Sequence, residues 1–278
     1  MHLLQGDDGE HGVLHDFGGD GPPLLLTHGN GLNAAMWTTA LPVLQRHRRC
    51  FGLDFRGHGA SRTQIPPLDV ERSHLVTEIL LAVAVIDEGP IDAVGHSLGG
   101  ATLVRTELEN PGTFRRMWLF EPVMVPEEFE RPDGDHPLVI AARRRRNEFP
   151  SLDSFVERLR SKPPFSQCEK AAVWGYATLG TQETAGGVSL TCSGEVEAQI
   201  FSSATATDFT ELKSITAPTV VARGEVLGTG NEMPPAMAEP IAAHLGSGTL
   251  LPMDGLTHFG PMEAGARVGD AIIAHLLD

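Results

Sequence analysis

Ile91-Asp92-Ala93-Val94-Gly95-His96-Ser97-Leu98-Gly99-Gly100 is the stretch whose reading decides the fold. An apolar run of strand length ends in a glycine-rich corner. A helical segment over 99–109 follows, stopped by Asn110-Pro111-Gly112. Gly95-His96-Ser97-Leu98-Gly99 fits G-x-S-x-G, in which a strand–serine–helix corner presents a hydroxyl and the flanking glycines permit close packing. A serine hydroxyl is a poor nucleophile until a base removes its proton, and such a corner holds it out to one. The helix behind it turns free N–H groups and a positive dipole end toward the serine. The pentapeptide alone recurs by chance; the strand before it and the helix after it give it weight.

Outward from this corner, short apolar runs alternate with helical segments, the pattern of an α/β protein. Leu24-Leu25-Leu26-Thr27-His28 reads as a buried strand, followed by a helix over 34–47. Cys50-Phe51-Gly52-Leu53-Asp54 is the next strand. Residues 70–87 carry Leu75, Val76, Ile79, Leu80, Val83 and Ile86 at helical spacing, and Met117-Trp118-Leu119-Phe120 forms a fourth strand. After Pro122 the periodicity changes. The stretch 126–209 is rich in charge and proline, with helices expected at 138–149, 152–159 and 195–201 and no strong strand. Strand signals return at 218–222 and 249–253, and 264–277 reads as a terminal helix. The expected architecture is a mostly parallel, doubly wound sheet from residues 1–125 and 210–278, interrupted by a helical lid over 126–209.

At 278 residues the chain can bury one large core, or one core carrying a lid. Its composition, 41% hydrophobic and 21% charged, is that of a soluble globular protein, and no run is long enough to span a membrane. A formal charge of −15 repels phosphate backbones and anionic bilayers, which argues against nucleic-acid and membrane partners. The polar, acidic start lacks the basic and apolar regions of a secretory signal, so the chain reads as cytoplasmic. Cys50, Cys168 and Cys192 lie far apart in no metal-binding spacing, and buried reduced thiols are expected. The arginine run 143–146 reads as a solvated helix face, with contact to an anionic part of a substrate as the functional alternative.

Three further motifs sit at strand ends. His28-Gly29-Asn30-Gly31 follows the first strand, and the backbone N–H groups of Asn30 and Leu98 can together hold a developing oxyanion. Asp54-Phe55-Arg56-Gly57-His58-Gly59-Ala60-Ser61 follows the next; its His58 is a candidate base, but ordering of the loop is the favoured role. Gly255-Leu256-Thr257-His258-Phe259-Gly260-Pro261 lies beyond the last strand, where a loop histidine can swing over the carboxyl ends of the strands. Among twelve histidines, His258 alone combines that late position with a strand-end loop and glycine flanks.

In this order and context HGNG, DFRGHGAS, GHSLGG and THFGP resemble the α/β-hydrolase superfamily, over roughly 22–122 and 215–278. The resemblance implies a Ser–acid–His triad with Ser97 and His258, no metal or organic cofactor, and a lid shaping an apolar acyl or lactone pocket. One departure matters. The family's usual acid follows the penultimate strand in a G-x-x-D pattern, and here Gly224-Glu225-Val226-Leu227 places leucine where the aspartate belongs. Some haloalkane dehalogenases of the superfamily keep the acid after an earlier strand, in a segment similar to Glu121-Pro122. Those enzymes have an aspartate nucleophile followed by tryptophan; Ser97 and Leu98 stand here, so dehalogenation is not implied.

Glu121 is therefore the expected acid, since it ends a strand neighbouring the nucleophile strand. Its rivals are Glu225, about 6–7 Å short of the usual position along an extended chain, Glu232 in a Gly/Pro-rich loop, and Asp254, which fits the turn at Asp254-Gly255. The expected function is hydrolysis of a carboxylic ester or lactone through an acyl-serine, with a small-molecule apolar acyl or lactone substrate. Thioester, amide or C–C bond cleavage or a lyase reaction by the same groups, and a ligand-binding receptor on the same scaffold, are the alternatives. Substrate identity and oligomeric state are not legible in the sequence.

Overall fold

A computed structural model describes residues 1–5, 11–61, 72–86, 89–127, 136–203, 206–225 and 233–277. Eight strands form the main sheet: β1 (His2–Gln5), β2 (His11–Gly18), β3 (Pro23–Thr27), β4 (Arg49–Asp54), β5 (Ile91–His96), β6 (Phe114–Phe120), β7 (Thr219–Arg223) and β8 (Gly248–Pro252). Their spatial order is β1-β2-β4-β3-β5-β6-β7-β8. β2 runs antiparallel to β1 and β4, and every other neighbouring pair is parallel.

A parallel sheet covered on both faces buries alternate residues on opposite sides, so its strands read as continuous apolar runs. Leu25, Leu53, Ala93, Leu119 and Val221 pack on one side with helices Arg72–Ile86, Leu98–Glu109 and Met233–His244. Leu24, Leu26, Val94, Trp118 and Ala222 face the other side, where helix Gly265–Leu277 lays down Val268, Ile272 and Leu276. The spacing of those three residues keeps them on one helix face.

Some local expectations change in the structure. The helix expected over 34–47 is broken into a 3₁₀ turn, Ala34–Trp37, and a single α-turn, Leu41–Leu44. Asn33 caps the first piece, but Ala40 gives the second no side-chain cap. The antiparallel strands β1 and β2 were not legible. They sit at the sheet edge and alternate few apolar residues with histidine, aspartate and glycine. Helix Met233–His244 was hidden by Pro234, Pro235 and Pro240; burial of Ala238, Ile241 and Ala242 offsets the hydrogen bond lost at Pro240.

Between β6 and β7 the described residues add no strand to the main sheet. The chain leaves and returns side by side, since Val125–Pro126 pairs in parallel with Ala206–Thr207. Among its described residues the insert has four helices: Pro137–Arg143, Leu152–Arg160, Lys170–Leu179 and Gly194–Ser202. A small antiparallel sheet accompanies them, with Gly187–Leu190 between Glu148–Phe149 and Thr181–Thr184. That sheet and the third helix were not expected from the sequence. The insert rests on the loops after β3 and β8: Tyr176 Oη donates to Gly31 O (3.1 Å), and Glu169 N–H donates to Met262 O (2.8 Å). Among the described residues, no helix is long and apolar enough to cross a membrane.

Candidate active site

Ser97 joins β5 directly to helix Leu98–Glu109 with φ 52° and ψ −115°. Such a left-handed backbone costs a non-glycine residue on the order of 1–3 kcal/mol and persists only where its surroundings over-determine it. They do so here. Ser97 N–H donates to Phe120 O (3.0 Å), and Ser97 O accepts from Val123 N–H (3.3 Å). Gly99 N–H donates to His28 O (3.0 Å). A Cβ on Gly99 would lie 2.6 Å from Thr27 Oγ1, and one on Gly95 would lie 2.6 Å from Gly100 Cα, so the corner closes only with glycine at both places.

Glu121 and Ser97 are the two non-glycine residues with positive φ among those described. Glu121 has φ 44° at the end of β6, where its N–H bonds Ala222 O of β7 at 2.9 Å. Its carboxylate is fully buried, and both oxygens are engaged. Oε1 accepts from Gly224 N–H (2.7 Å), and Oε2 accepts from His258 Nδ1–H (2.6 Å). A carboxylate oxygen accepts in this contact, so the imidazole donates from Nδ1 and its Nε2 faces away from Glu121. The imidazole is half-buried, with 28% of its side chain exposed.

The rival carboxylates stand elsewhere. Glu225 is exposed, and its N–H bonds Leu256 O (2.7 Å). Asp254 is exposed beside the turn before His258, as its place in the sequence implied. Leu227 and Glu232 lie outside the described residues. Gly224 belongs to the same arrangement: a Cβ there would approach Leu256 O to 2.3 Å.

The loop carrying His258 is pinned on two sides. Glu263 accepts from Thr257 N–H (2.8 Å) and Thr257 Oγ1–H (2.5 Å). His96, the residue before Ser97, donates Nε2–H to His258 O (2.8 Å), and the two rings lie 4.6 Å apart. Burial, followed by the neighbouring His258, holds the pKa of His96 well below the usual histidine range, so the ring stays neutral. Its Nδ1 is buried without a hydrogen-bond partner.

Opposite this loop, Gly29 packs against the Ser97 corner: a Cβ there would sit 3.2 Å from Ser97 Cβ. Gly29 O is held by His28 Nδ1–H (2.8 Å) and Leu32 N–H (3.1 Å). In a trans peptide the C=O and N–H point oppositely, so these bonds also aim the Asn30 N–H. Among the described residues neither Asn30 N–H nor Leu98 N–H has an acceptor in the protein. Two unspent donors thus flank Ser97, one of them at a helix N-terminus.

His58 is fully buried, accepting from Gly31 N–H (3.1 Å) at Nε2 and donating Nδ1–H to Arg56 O (3.0 Å). Burial, reinforced by nearby His28, pushes its pKa down to about 3, so it orders the loop as a neutral ring. The arginine run departs from a uniform solvated face. Arg143, Arg144 and Arg146 are exposed, whereas Arg145 turns inward to Glu197 and Tyr176. Tyr176, Glu197 and the anchoring role of His96 were missed. The one available signal was that Tyr176 is the chain's single tyrosine, set in an otherwise unassigned segment. The three cysteines are free and buried.

Residues 24–271 match the model of the Alpha/beta hydrolase family. The chain belongs to this family. It is similar to 2-hydroxy-6-oxo-2,4-heptadienoate hydrolase of Pseudomonas putida, with 34% identity over 44% of this chain and 44% of that protein. It is also similar to the pimeloyl-[acyl-carrier protein] methyl ester esterase of Nitrosospira multiformis, with 31% identity over 51% of this chain and 50% of that one. The matches thus span half or less of these curated relatives. The crystal structure of E-2-(acetamidomethylene)succinate hydrolase superposes over 100% of both chains with a TM-score of 0.77 at 20% identity, a likeness of fold. This alpha/beta hydrolase therefore carries its family's sheet with a glutamate at the end of β6 bonded to the late histidine.

Proposed function

We propose that this alpha/beta hydrolase cleaves a small carboxylic ester or lactone through an acyl-serine intermediate. The observation that carries the proposal is the 2.6 Å contact from His258 Nδ1 to the buried Glu121 carboxylate, beside a serine held on a strained corner. In this mechanism Ser97 Oγ attacks the carbonyl carbon as His258 Nε2 takes its proton. The N–H groups of Asn30 and Leu98 hold the oxyanion that forms, and Glu121 stabilises the imidazolium. His258 then returns the proton to the leaving alcohol. In the second half it takes a proton from water as that water attacks the acyl carbon, then gives the proton to Ser97 Oγ as the acyl–Oγ bond breaks and the acid leaves. Residues 126–209 act as a lid that shapes the acyl pocket.

A second chemistry on the same residues has a specific observation behind it. One relative is named for a substrate with an oxo group and a carboxylate and no ester, so cleavage next to a ketone belongs in the substrate panel. The test is fluorophosphonate labelling of native protein and Ser97→Ala, with steady-state turnover on esters, lactones, acyl-thioesters and vinylogous ketones. We expect one adduct on Ser97, multiple turnovers on an ester or lactone, and a loss on the order of 10⁴-fold or more in Ser97→Ala. An adduct on another residue, or acylation that stops after one turnover, refutes the proposal.

A further inference from the structure

The loop bearing Asn30 is held from the insert by residues that play no part in the mechanism above: Tyr176 through its hydroxyl, Glu197 through its main-chain carbonyl, and Arg145 through its bonds to both. Asn30 Nδ2 donates to Glu197 O (3.0 Å) on helix Gly194–Ser202. Tyr176, on helix Lys170–Leu179, donates its hydroxyl to Gly31 O (3.1 Å). Arg145 ties these two helices together, with Nη1 to Glu197 Oε2 at 2.6 Å and Nη2 to Tyr176 Oη at 2.5 Å. Contact with the loop is close: a Cβ on Gly31, whose φ is +72°, would lie 2.9 Å from Glu197 Cδ and 3.3 Å from Arg145 Nη1. Asn33, three residues beyond Asn30, donates to Tyr176 O (2.9 Å).

The chemistry of the trio suits holding rather than substrate binding. The Arg145 cation is matched by the Glu197 carboxylate, and its two terminal nitrogens are spent on protein groups. Tyr176 is 3% exposed, and burial pushes its phenol pKa above the ordinary value, so it remains a donor at neutral pH. On the core side the same loop is held at Gly29 O by His28 and at Gly31 N–H by His58. The two peptide planes that meet at Asn30 are held from the core, at Gly29 O and Gly31 N–H, and the insert holds what adjoins them, the Asn30 side chain and the next carbonyl, Gly31 O.

We infer that Arg145, Glu197 and Tyr176 form a clamp through which the insert steadies the direction that the core gives the Asn30 N–H, making Tyr176 and Arg145 positioning residues for the acyl-transfer step. This rests on the proposal that the Asn30 N–H is an oxyanion donor. A donor whose aim depends on the clamp matters most in the tetrahedral state, because the oxyanion exists only there. Loss of one oxyanion donor costs about 10²–10³-fold in kcat, and a misplacement near 1 Å can cost about 10²-fold.

Tyr176→Phe is the primary variant, since it keeps the ring and removes only the hydroxyl. kcat and KM are measured on a small uncharged chromogenic ester, together with inhibition by an arylboronic acid, which forms a tetrahedral anionic adduct with a catalytic serine, and the pH profile. The clamp predicts a fall in kcat of about 10- to 100-fold, a KM within about 3-fold of native, and boronate affinity weakened by a factor similar to that in kcat/KM. The pH profile keeps its midpoint, because the His258–Glu121 pair is untouched. Asn30→Ala, which retains the backbone donor but loses the tether to Glu197 O, gives the same pattern and is the recourse if Tyr176→Phe does not fold. Unchanged kcat and boronate affinity with only a lowered Tm, or a raised KM with kcat intact, overturns the clamp while Ser97 labelling still supports the proposed function. Native protein that forms no Ser97 adduct and turns over no ester overturns both.

Discussion

Glu121→Gln tests the site at its most specific contact. In the native protein the two carboxylate oxygens accept from two donors, Gly224 N–H at 2.7 Å and His258 Nδ1–H at 2.6 Å. A glutamine has the same shape but one oxygen and one NH₂ group. With the oxygen kept on Gly224 N–H, the NH₂ group faces Nδ1 and forces the imidazole proton onto Nε2, where the base lone pair is needed. With the oxygen turned to His258 instead, the buried NH₂ confronts Gly224 N–H, and an unsatisfied buried donor costs about 1–3 kcal/mol. Either arrangement also removes the charge that stabilises the imidazolium in the proposed mechanism. A triad with its histidine in the wrong tautomer loses about 10⁴ in kcat, equivalent to about 5 kcal/mol of barrier. The assay is steady-state hydrolysis of the best substrate from the panel, with Tm and circular dichroism to confirm folding and Glu225→Gln as control. We expect a collapse of kcat in Glu121→Gln, KM changed by only a few-fold, and near-normal turnover in Glu225→Gln, whose parent side chain is exposed. Turnover within 10-fold of native in folded Glu121→Gln, or a collapse in Glu225→Gln, refutes the reasoning.

Gly99→Ala drives a methyl group to within 2.6 Å of Thr27 Oγ1 and 2.7 Å of His28 O, prising the nucleophile corner from the loop that carries Asn30. Stability should fall by about 1–3 kcal/mol and fluorophosphonate labelling of Ser97 should slow by at least about 10-fold, read by thermal melting and gel fluorescence; native behaviour in both would show that the corner yields freely. Stability should also depend on pH through His28, His58 and His96, whose folded-state pKa values burial lowers from the ordinary 6.5, to about 3 in His58. The unfolded chain binds protons that the folded chain refuses, so this stabilisation is complete above pH 6.5 and is lost as pH falls toward 3. Each histidine contributes a slope approaching about 1.4 kcal/mol per pH unit. Urea denaturation between pH 7 and pH 5 should show the steep decline, and His96→Gln should flatten it; a native protein equally stable at both pH values would contradict the neutral buried rings.

What the sequence determined by itself is what contiguous residues can dictate. An apolar run, a serine with a glycine two residues to either side and a helical run define the corner at Ser97, and the close approach that requires Gly95 is made by Gly100 and Leu103 just beyond that turn, whereas Gly99 meets the distant Thr27 and His28. The strands β3 to β7 were legible because burial on both faces leaves short apolar runs at their centres; β8, at the sheet edge and partly exposed, was read from Leu250-Leu251 alone. β1 and β2 were not legible: with one edge and partly solvated faces, their polar residues carry no such signature. The place of His258 at the last strand end was likewise readable, but its partner was not decidable among carboxylates, since Glu121 lies 137 residues away from it in the chain. Only the tertiary structure chose. The register of β6 against β7 brings Glu121 beside Ala222 and Gly224, the positive φ at Glu121 ends β6 at that point, and Gly224 N–H occupies one oxygen while the other meets the imidazole. The inward turn of Arg145 onto Glu197 and Tyr176 was decided in the same way. Its neighbours Arg143, Arg144 and Arg146 are alike in charge and helix propensity, and what separates them is which one the packing of two distant helices leaves facing a carboxylate away from water.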